Sequence, residues 1–183
     1  MKKYSNVIGF LGASGAGKSY LADIASEISG IPVFKHEELW HQVFDVPVIK
    51  DYLAQNGITD TSDRRYILEF LISSEMFPVA IKLVEEKFKA KIENGEPVIT
   101  AWQRLPLFDV TKQFGEICLI KSDDDMRLNV VAKRDGVSKS KAAKRISLEY
   151  DFTKFKFTKE FFNDCKTIPD GFIEYAQSLK ELF

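Results

Sequence analysis

Apolar positions form short solid runs near the start and middle of the chain, and three- and four-spaced stripes elsewhere. Asn6–Leu11, Pro97–Ala101 and Glu116–Ile120 are compact apolar runs bounded by turn residues, which predicts short buried strands. After the first of these, Leu21, Ile24, Ala25 and Ile28 recur at helical spacing. Gly30 stands where a helix cap belongs, and Pro32 stops any continuation. Ile31–Phe34 reads as a second strand, giving an opening βαβ unit. From Glu37 to Asn94 the pattern is mainly helical, with Pro47, Gly57 and Pro78 read as breaks. Asp60–Asp63 offers N-caps for a helix holding Ile67, Leu68, Leu71 and Ile72, and Ile81, Val84, Phe88 and Ile92 mark another, ended by Asn94-Gly95. Asp123–Asp125 opens a helix that runs to Arg134 and stops at Gly136. Ser138 caps the next helix, through about Glu149, and Phe172–Leu182 carries the stripe of a terminal one. Strands alternating with helices predict an α/β fold with a mostly parallel sheet covered on both faces.

The turn between the first strand and its helix is Gly12-Ala13-Ser14-Gly15-Ala16-Gly17-Lys18-Ser19, a full match to G-x-x-x-x-G-K-[ST] in the strand-to-helix context that gives the pattern meaning. Glycines let successive N–H groups face a phosphate, and the helix start adds positive potential. Lys18 is placed to reach the β- and γ-phosphates, and the Ser19 hydroxyl to bind Mg²⁺. ATP and Mg²⁺ are therefore the expected cofactors, and a three-layer α/β/α P-loop fold the expected architecture.

Composition narrows this further. A chain of 183 residues suits one domain, and 26 Lys and Arg nearly cancel 27 Asp and Glu. No apolar run approaches a membrane span. Two cysteines, Cys118 and Cys165, fit a reducing compartment, and the start Met1-Lys2-Lys3 leads into the glycine turn without a cleavage pattern. A cytoplasmic location is expected. The neutral average hides an asymmetry: residues 127–159 hold ten Lys and Arg against three acids. Arg134 and Arg145 in this segment are candidates for neutralising a phosphoryl group in transit, and the lysines read as a solvated face.

A guanine-reading N-K-x-D is absent, and Val98–Ala101 is followed by Trp102 without the acid of the ATPase motors. Small size, a helical insertion and a basic segment fit a small-molecule kinase, the insertion supplying an acceptor pocket and the basic segment a lid. His36 and His41 beside Glu37 and Glu38 lack the converging ligands of a zinc site. Phe152, Phe155, Phe157, Phe161 and Phe162, interleaved with lysines, read as rings for the core in preference to a stacking platform for nucleic acid. Trp40 and Trp102 border an acceptor pocket or fill core.

The P-loop, Val33–Trp40, Asp63-Arg64-Arg65, Pro106-Leu107-Phe108, and above all Arg134-Asp135-Gly136-Val137-Ser138 with Ala143-Lys144-Arg145-Ile146 resemble dephospho-CoA kinase along nearly the whole chain. The resemblance implies a nucleoside-monophosphate-kinase-like fold in a single domain. Its core would be residues 1–35, 95–122 and 160–183, its helical acceptor-binding insertion about 36–94, and its lid about 127–150. It also implies ATP-dependent phosphorylation of the ribose 3′-hydroxyl of dephospho-CoA, in coenzyme A synthesis, with Glu37 standing where the family has an acceptor-activating aspartate. Departures cluster on the acceptor side. The family's D-x-P-L-L-F-E becomes Arg104-Leu105-Pro106-Leu107-Phe108-Asp109, a histidine before proline becomes Phe77-Pro78, and a glutamine and an arginine before the lid fall at Arg127 and Val130. Two alternatives stay open: phosphorylation of a nucleoside monophosphate or of a modified nucleotide or nucleic acid, and a catalytically degenerate nucleotide-binding protein. The oligomeric state is not legible.

Overall fold

The computed structural model describes residues 3–147, 152 and 155–182, with the side chains of Glu37 and Arg65 outside the description. The chain falls into two compact units, one of them Lys35–Asn94 and the other the rest.

In the larger unit, β1 (Tyr4–Leu11) is buried along almost its whole length, as expected for a strand with neighbours on both sides. It feeds α1 (Lys18–Ser29), which ends where Gly30 adopts φ 78° and its N–H meets the Ser26 carbonyl. Next come β2 (Val33–Phe34) and, beyond the helical unit, β3 (Val98–Ala101) and β4 (Phe114–Lys121). The helices α6 (Asp124–Asp135) and α7 (Lys139–Ile146) precede β5 (Lys159–Phe162) and α8 (Phe172–Ser178). The five strands pair in the order β2-β3-β1-β4-β5, all parallel, with Ile8 opposite Ile99 on one side and Glu116 on the other. β1 therefore lies at the switch point of the sheet, and the crevice at its carboxyl end is where open α/β sheets take ligands.

Alternation along β1 sends Ile8 and Phe10 into a core with Leu21 and Ala25 of α1 and Phe172 and Ala176 of α8. Gly9 faces the other side, against Phe114 and Leu105. Among the described residues, no helix is long and apolar enough to cross a membrane.

The helical unit holds α2 (Glu37–Phe44), α3 (Pro47–Gln55), α4 (Arg64–Ile72) and α5 (Phe77–Ile92). Asp63 caps α4 by accepting from the Tyr66 N–H at 3.0 Å. Pro47 and Pro78, read from sequence as breaks, lie in the first turns of α3 and α5. Proline is favourable there because the missing N–H would have had no helical partner.

The differences from the expected pattern are local. The predicted second strand shortens to Val33 and Phe34, in register with Ile99 and Thr100, with the Pro32 carbonyl accepting from the Ile99 N–H at 2.9 Å. α7 ends at Ile146, and Glu149 lies outside the described residues, as does Lys154. The phenylalanine-rich stretch contributes less to the core than expected. Phe161 packs against Phe172 and Tyr175, whereas Phe157 and Phe162 are exposed. The reason is strand geometry: on β5, alternate side chains face opposite ways, so Phe161 and Phe162 cannot both face α8.

Candidate phosphate-binding site

The turn from β1 to α1 is constrained by its surroundings as much as by its own conformation. Gly12 has φ 141°, and a Cβ there would lie 2.2 Å from the Ile120 carbonyl oxygen of β4. Gly17 is the N-cap of α1 with φ 87°, and a Cβ there would strike the Asn163 amide. Both places demand glycine, for conformation and for room. Ala16, between them, is buried in the core beneath the sheet. Lys18 begins the helix, only 9% exposed, with its Nζ donating to the Ala13 carbonyl at 2.7 Å. Ser19 follows on the exposed side.

α6 brings two arginines to this turn, and α7 joins a third to them through Asp135. Asp123 caps α6 by accepting from the Asp125 and Met126 N–H groups, and Asp124 and Asp125 complement its positive end. One turn in, the buried Arg127 donates from Nε to the Ser14 carbonyl at 3.1 Å and from Nη1 to Asp124 at 2.6 Å. Near the end of the helix, Arg134 Nη2 lies 3.3 Å from Ser14 Oγ. Arg145, the penultimate residue of α7, donates from Nη1 to Asp135 at 2.8 Å, and Asp135 also accepts from Arg134 Nε at 2.8 Å. Gly136 with φ 61° ends α6, and Ser138 caps α7 on the Lys141 N–H. Lys133, Lys139, Lys141 and Lys144 are exposed, as befits a solvated face.

Asn163, just past β5, closes the turn from a third side. Its side chain is almost wholly buried (the residue is 2% exposed), with Nδ2 donating to the Ala16 carbonyl at 2.9 Å and Oδ1 accepting from the Cys165 N–H at 3.0 Å.

The structure thus gathers Gly12, Ala13, Ser14, Gly15, Ala16, Gly17, Lys18 and Ser19 with Arg134 and Arg145 in one unit. Arg127 and Asn163 join them, and sequence reasoning had not placed either at the turn. A signal existed for Arg127, three residues after Asp124 on one helix face, where opposite charges meet. Nothing local marks Asn163. Glu37 opens α2 in the other unit, and its side chain lies outside the described part. His36, before it, is 3% exposed and packs on Phe88 at 5.0 Å. Burial pushes its pKa down to about 3, so the ring is neutral at ordinary pH. Trp40 is buried 5.9 Å from Phe44, and Trp102 is half-buried 5.2 Å from Phe108.

Lysine and arginine side chains beside a helix N-terminus form a donor-only, cationic set. That chemistry fits a polyphosphate and leaves the exposed Ser19 hydroxyl for a hydrated cation.

No model of a protein family matches the chain, nor does any curated protein. Solved structures do. TT1252 from Thermus thermophilus superposes with a TM-score of 0.66 at 18% identity, over 96% of this chain and 95% of that one. A shikimate kinase from Bacteroides thetaiotaomicron gives 0.59 at 14% identity, over 96% and 97%. The dephospho-CoA kinase of Campylobacter jejuni gives 0.51 at 14% identity, over 98% and 96%. The fold is that of the P-loop kinases. At such identities the likeness is one of architecture alone.

Proposed function

We propose that this protein is an ATP-dependent small-molecule kinase that transfers the γ-phosphoryl group to an acceptor hydroxyl. The observation that carries the reading is Arg134, from a helix far along the chain, standing against Ser14 within a P-loop. A phosphate-binding turn alone would serve many functions, whereas an arginine from a helical pair laid over it supports phosphoryl transfer. In this reading backbone N–H groups of residues 12–17 and Lys18 hold the phosphates. Lys18, Arg134 and Arg145 offset the negative charge that shifts as the phosphoryl group leaves. Glu37 takes the proton of the acceptor hydroxyl. Ser19 would hold Mg²⁺, which when bound would neutralise part of the polyphosphate charge. Use of cellular ATP goes with a cytoplasmic location.

Dephospho-CoA is the first acceptor to test, because the Arg134–Ser138 and Ala143–Ile146 segments resemble that family, and coenzyme A synthesis is then the process served. One observation favours a second reading with the same chemistry and a less anionic acceptor. Residues 35–94 carry eight Lys and Arg against eleven Asp and Glu, an acidic balance for a region that would meet a diphosphate. Transfer of label from γ-labelled ATP to a panel of hydroxyl acceptors, from uncharged polyols and nucleosides to nucleoside monophosphates and dephospho-CoA, separates the two. Lys18→Ala should lower turnover at least ~10³-fold while melting within a few degrees of the parent. A variant with full turnover would remove the P-loop from the chemistry. Tight ATP binding with no acceptor phosphorylated would instead leave a nucleotide-binding protein.

A further inference from the structure

Asp135 is the last residue of α6, and two arginines meet on its carboxylate. The side chain is only 1% exposed. Oδ1 accepts from Arg134 Nε at 2.8 Å, and Oδ2 accepts from Arg145 Nη1 at 2.8 Å and from Arg134 Nη2 at 3.4 Å. The same Arg134 Nη2 reaches Ser14 Oγ at 3.3 Å. Ser14, Arg134, Asp135 and Arg145 therefore form one continuous line of polar contacts from the phosphate-binding turn to α7.

Neighbouring residues on a helix ordinarily face different ways. Here the pairing of Arg134 with Asp135 occurs at the end of α6, where Gly136 turns the chain out of the helix with φ 61°. The two contacts to Arg134 use the Nε and Nη2 edge of the guanidinium, a fork that sets the plane of the group and not only its distance. Two guanidinium groups drawn to one place repel each other, and both side chains have many rotamers to lose. A buried carboxylate between them offsets the repulsion and removes those rotamers before any ligand arrives.

Resting on the kinase reading, we propose that Asp135 is a positioning residue: it orients Arg134 against the phosphate-binding turn, so that this cation meets a triphosphate already aimed, and, through Arg145, it ties α7 to the same point. The proposal makes a prediction opposite to that of charge alone. Asp135→Asn removes a negative charge beside the site, so attraction of anions in general would strengthen. If aim is what matters, binding of MgATP weakens instead.

The test uses the full chain and a fluorescent ATP analogue with Mg²⁺, displaced by ATP, for the parent, Asp135→Asn, Asp135→Glu, Arg134→Ala and the Asp135→Asn/Arg134→Ala double variant. Circular dichroism melting checks that each folds. Asp135→Asn and Arg134→Ala should each weaken ATP by about tenfold, and the double variant should fall within about twofold of Arg134→Ala, because Asp135 acts through that arginine. Asp135→Glu, which keeps the charge and the fork, should recover most of the loss. Binding by Asp135→Asn as tight as the parent's or tighter, or losses that multiply in the double variant, would overturn the proposal. A second measurement needs no nucleotide: amide hydrogen exchange over residues 139–146 should quicken in Asp135→Asn, and unchanged exchange there would also overturn it. Failure of the parent itself to bind MgATP would strike the kinase reading, and the exchange result would still decide the role of Asp135 in holding α7.

Discussion

The turn at residues 12–19 and the helices of residues 35–94 are built by opposite means. The turn works through its main chain: two glycines stand where any side chain would collide with the Ile120 carbonyl or the Asn163 amide, and only a few cationic side chains complete the site. The helices work through side chains. Caps such as Asp63 and first-turn prolines set their ends, and buried rings such as Trp40, Phe44 and Phe88 fill the space between them. A main-chain site depends on few residue types and declares itself as a short motif. A side-chain site depends on many, spread over several helices. A phosphate-binding motif is therefore legible in this chain, and a set of acceptor-binding residues is not.

The harshest way to break this comparison is to give the turn a side chain. Gly12→Ala would place a methyl group 2.2 Å from a backbone oxygen of the neighbouring strand, at a φ of 141° that alanine resists. Overpacking and backbone strain together should cost roughly 3–4 kcal/mol, and nucleotide binding should fall at least ~100-fold. Urea unfolding and ATP titration measure the two. A stable Gly12→Ala variant with intact binding would show that the turn is not limited by its main chain.

Asn163→Ala asks whether the turn stands by itself or is held from outside. The change removes the donor from the Ala16 carbonyl and the acceptor from the Cys165 N–H, both beside a buried side chain. About 3 kcal/mol of stability and roughly tenfold in ATP affinity should go with it. Loss of stability with unaltered affinity would mean that Asn163 supports β5 and not the turn.

What could be read in advance follows the same division. The P-loop, the cap at Asp123, the stop at Gly136 and the cap at Ser138 are local signals, each decided by a few adjacent residues, and each is where the pattern placed it. Asn163 and the bridge from Arg134 through Asp135 to Arg145 join residues brought together only by the sheet order and the α6–α7 turn. Asn163 shares no window of sequence with the turn it holds, and the bridge, though it spans only twelve residues, closes only once the α6–α7 turn has folded back. Arg127 shows the intermediate case. Its pairing with Asp124 is local, but its bond to the Ser14 carbonyl crosses more than a hundred residues. Pro47 and Pro78 are legible as breaks for the same local reason: a proline cannot continue the helix before it, and each sits in the first turn of the next one.

The smallest expected effect sharpens the comparison by pH. Both histidines of the chain, His36 and His41, lie in residues 35–94. His36 is buried against Phe88, and desolvation lowers its pKa from 6.5 to about 3. In the folded chain the ring therefore stays neutral down to about pH 3, while in the unfolded chain it takes up a proton below about pH 6.5. Its contribution to stability is fully present above pH 6.5 and drains away as the pH falls from there towards 3. The integrated loss at pH 5 is about 2 kcal/mol. Urea midpoints of the parent should drop between pH 7.5 and pH 5, and His36→Leu should flatten that dependence by about this amount. NMR of the parent provides the direct check: the His36 ring resonances should not move between pH 7.5 and pH 4.5. A titration midpoint near 6.5 would place the ring in water and dissolve the contrast, because the helical unit would then carry no buried ionisable ring to set it apart from the turn.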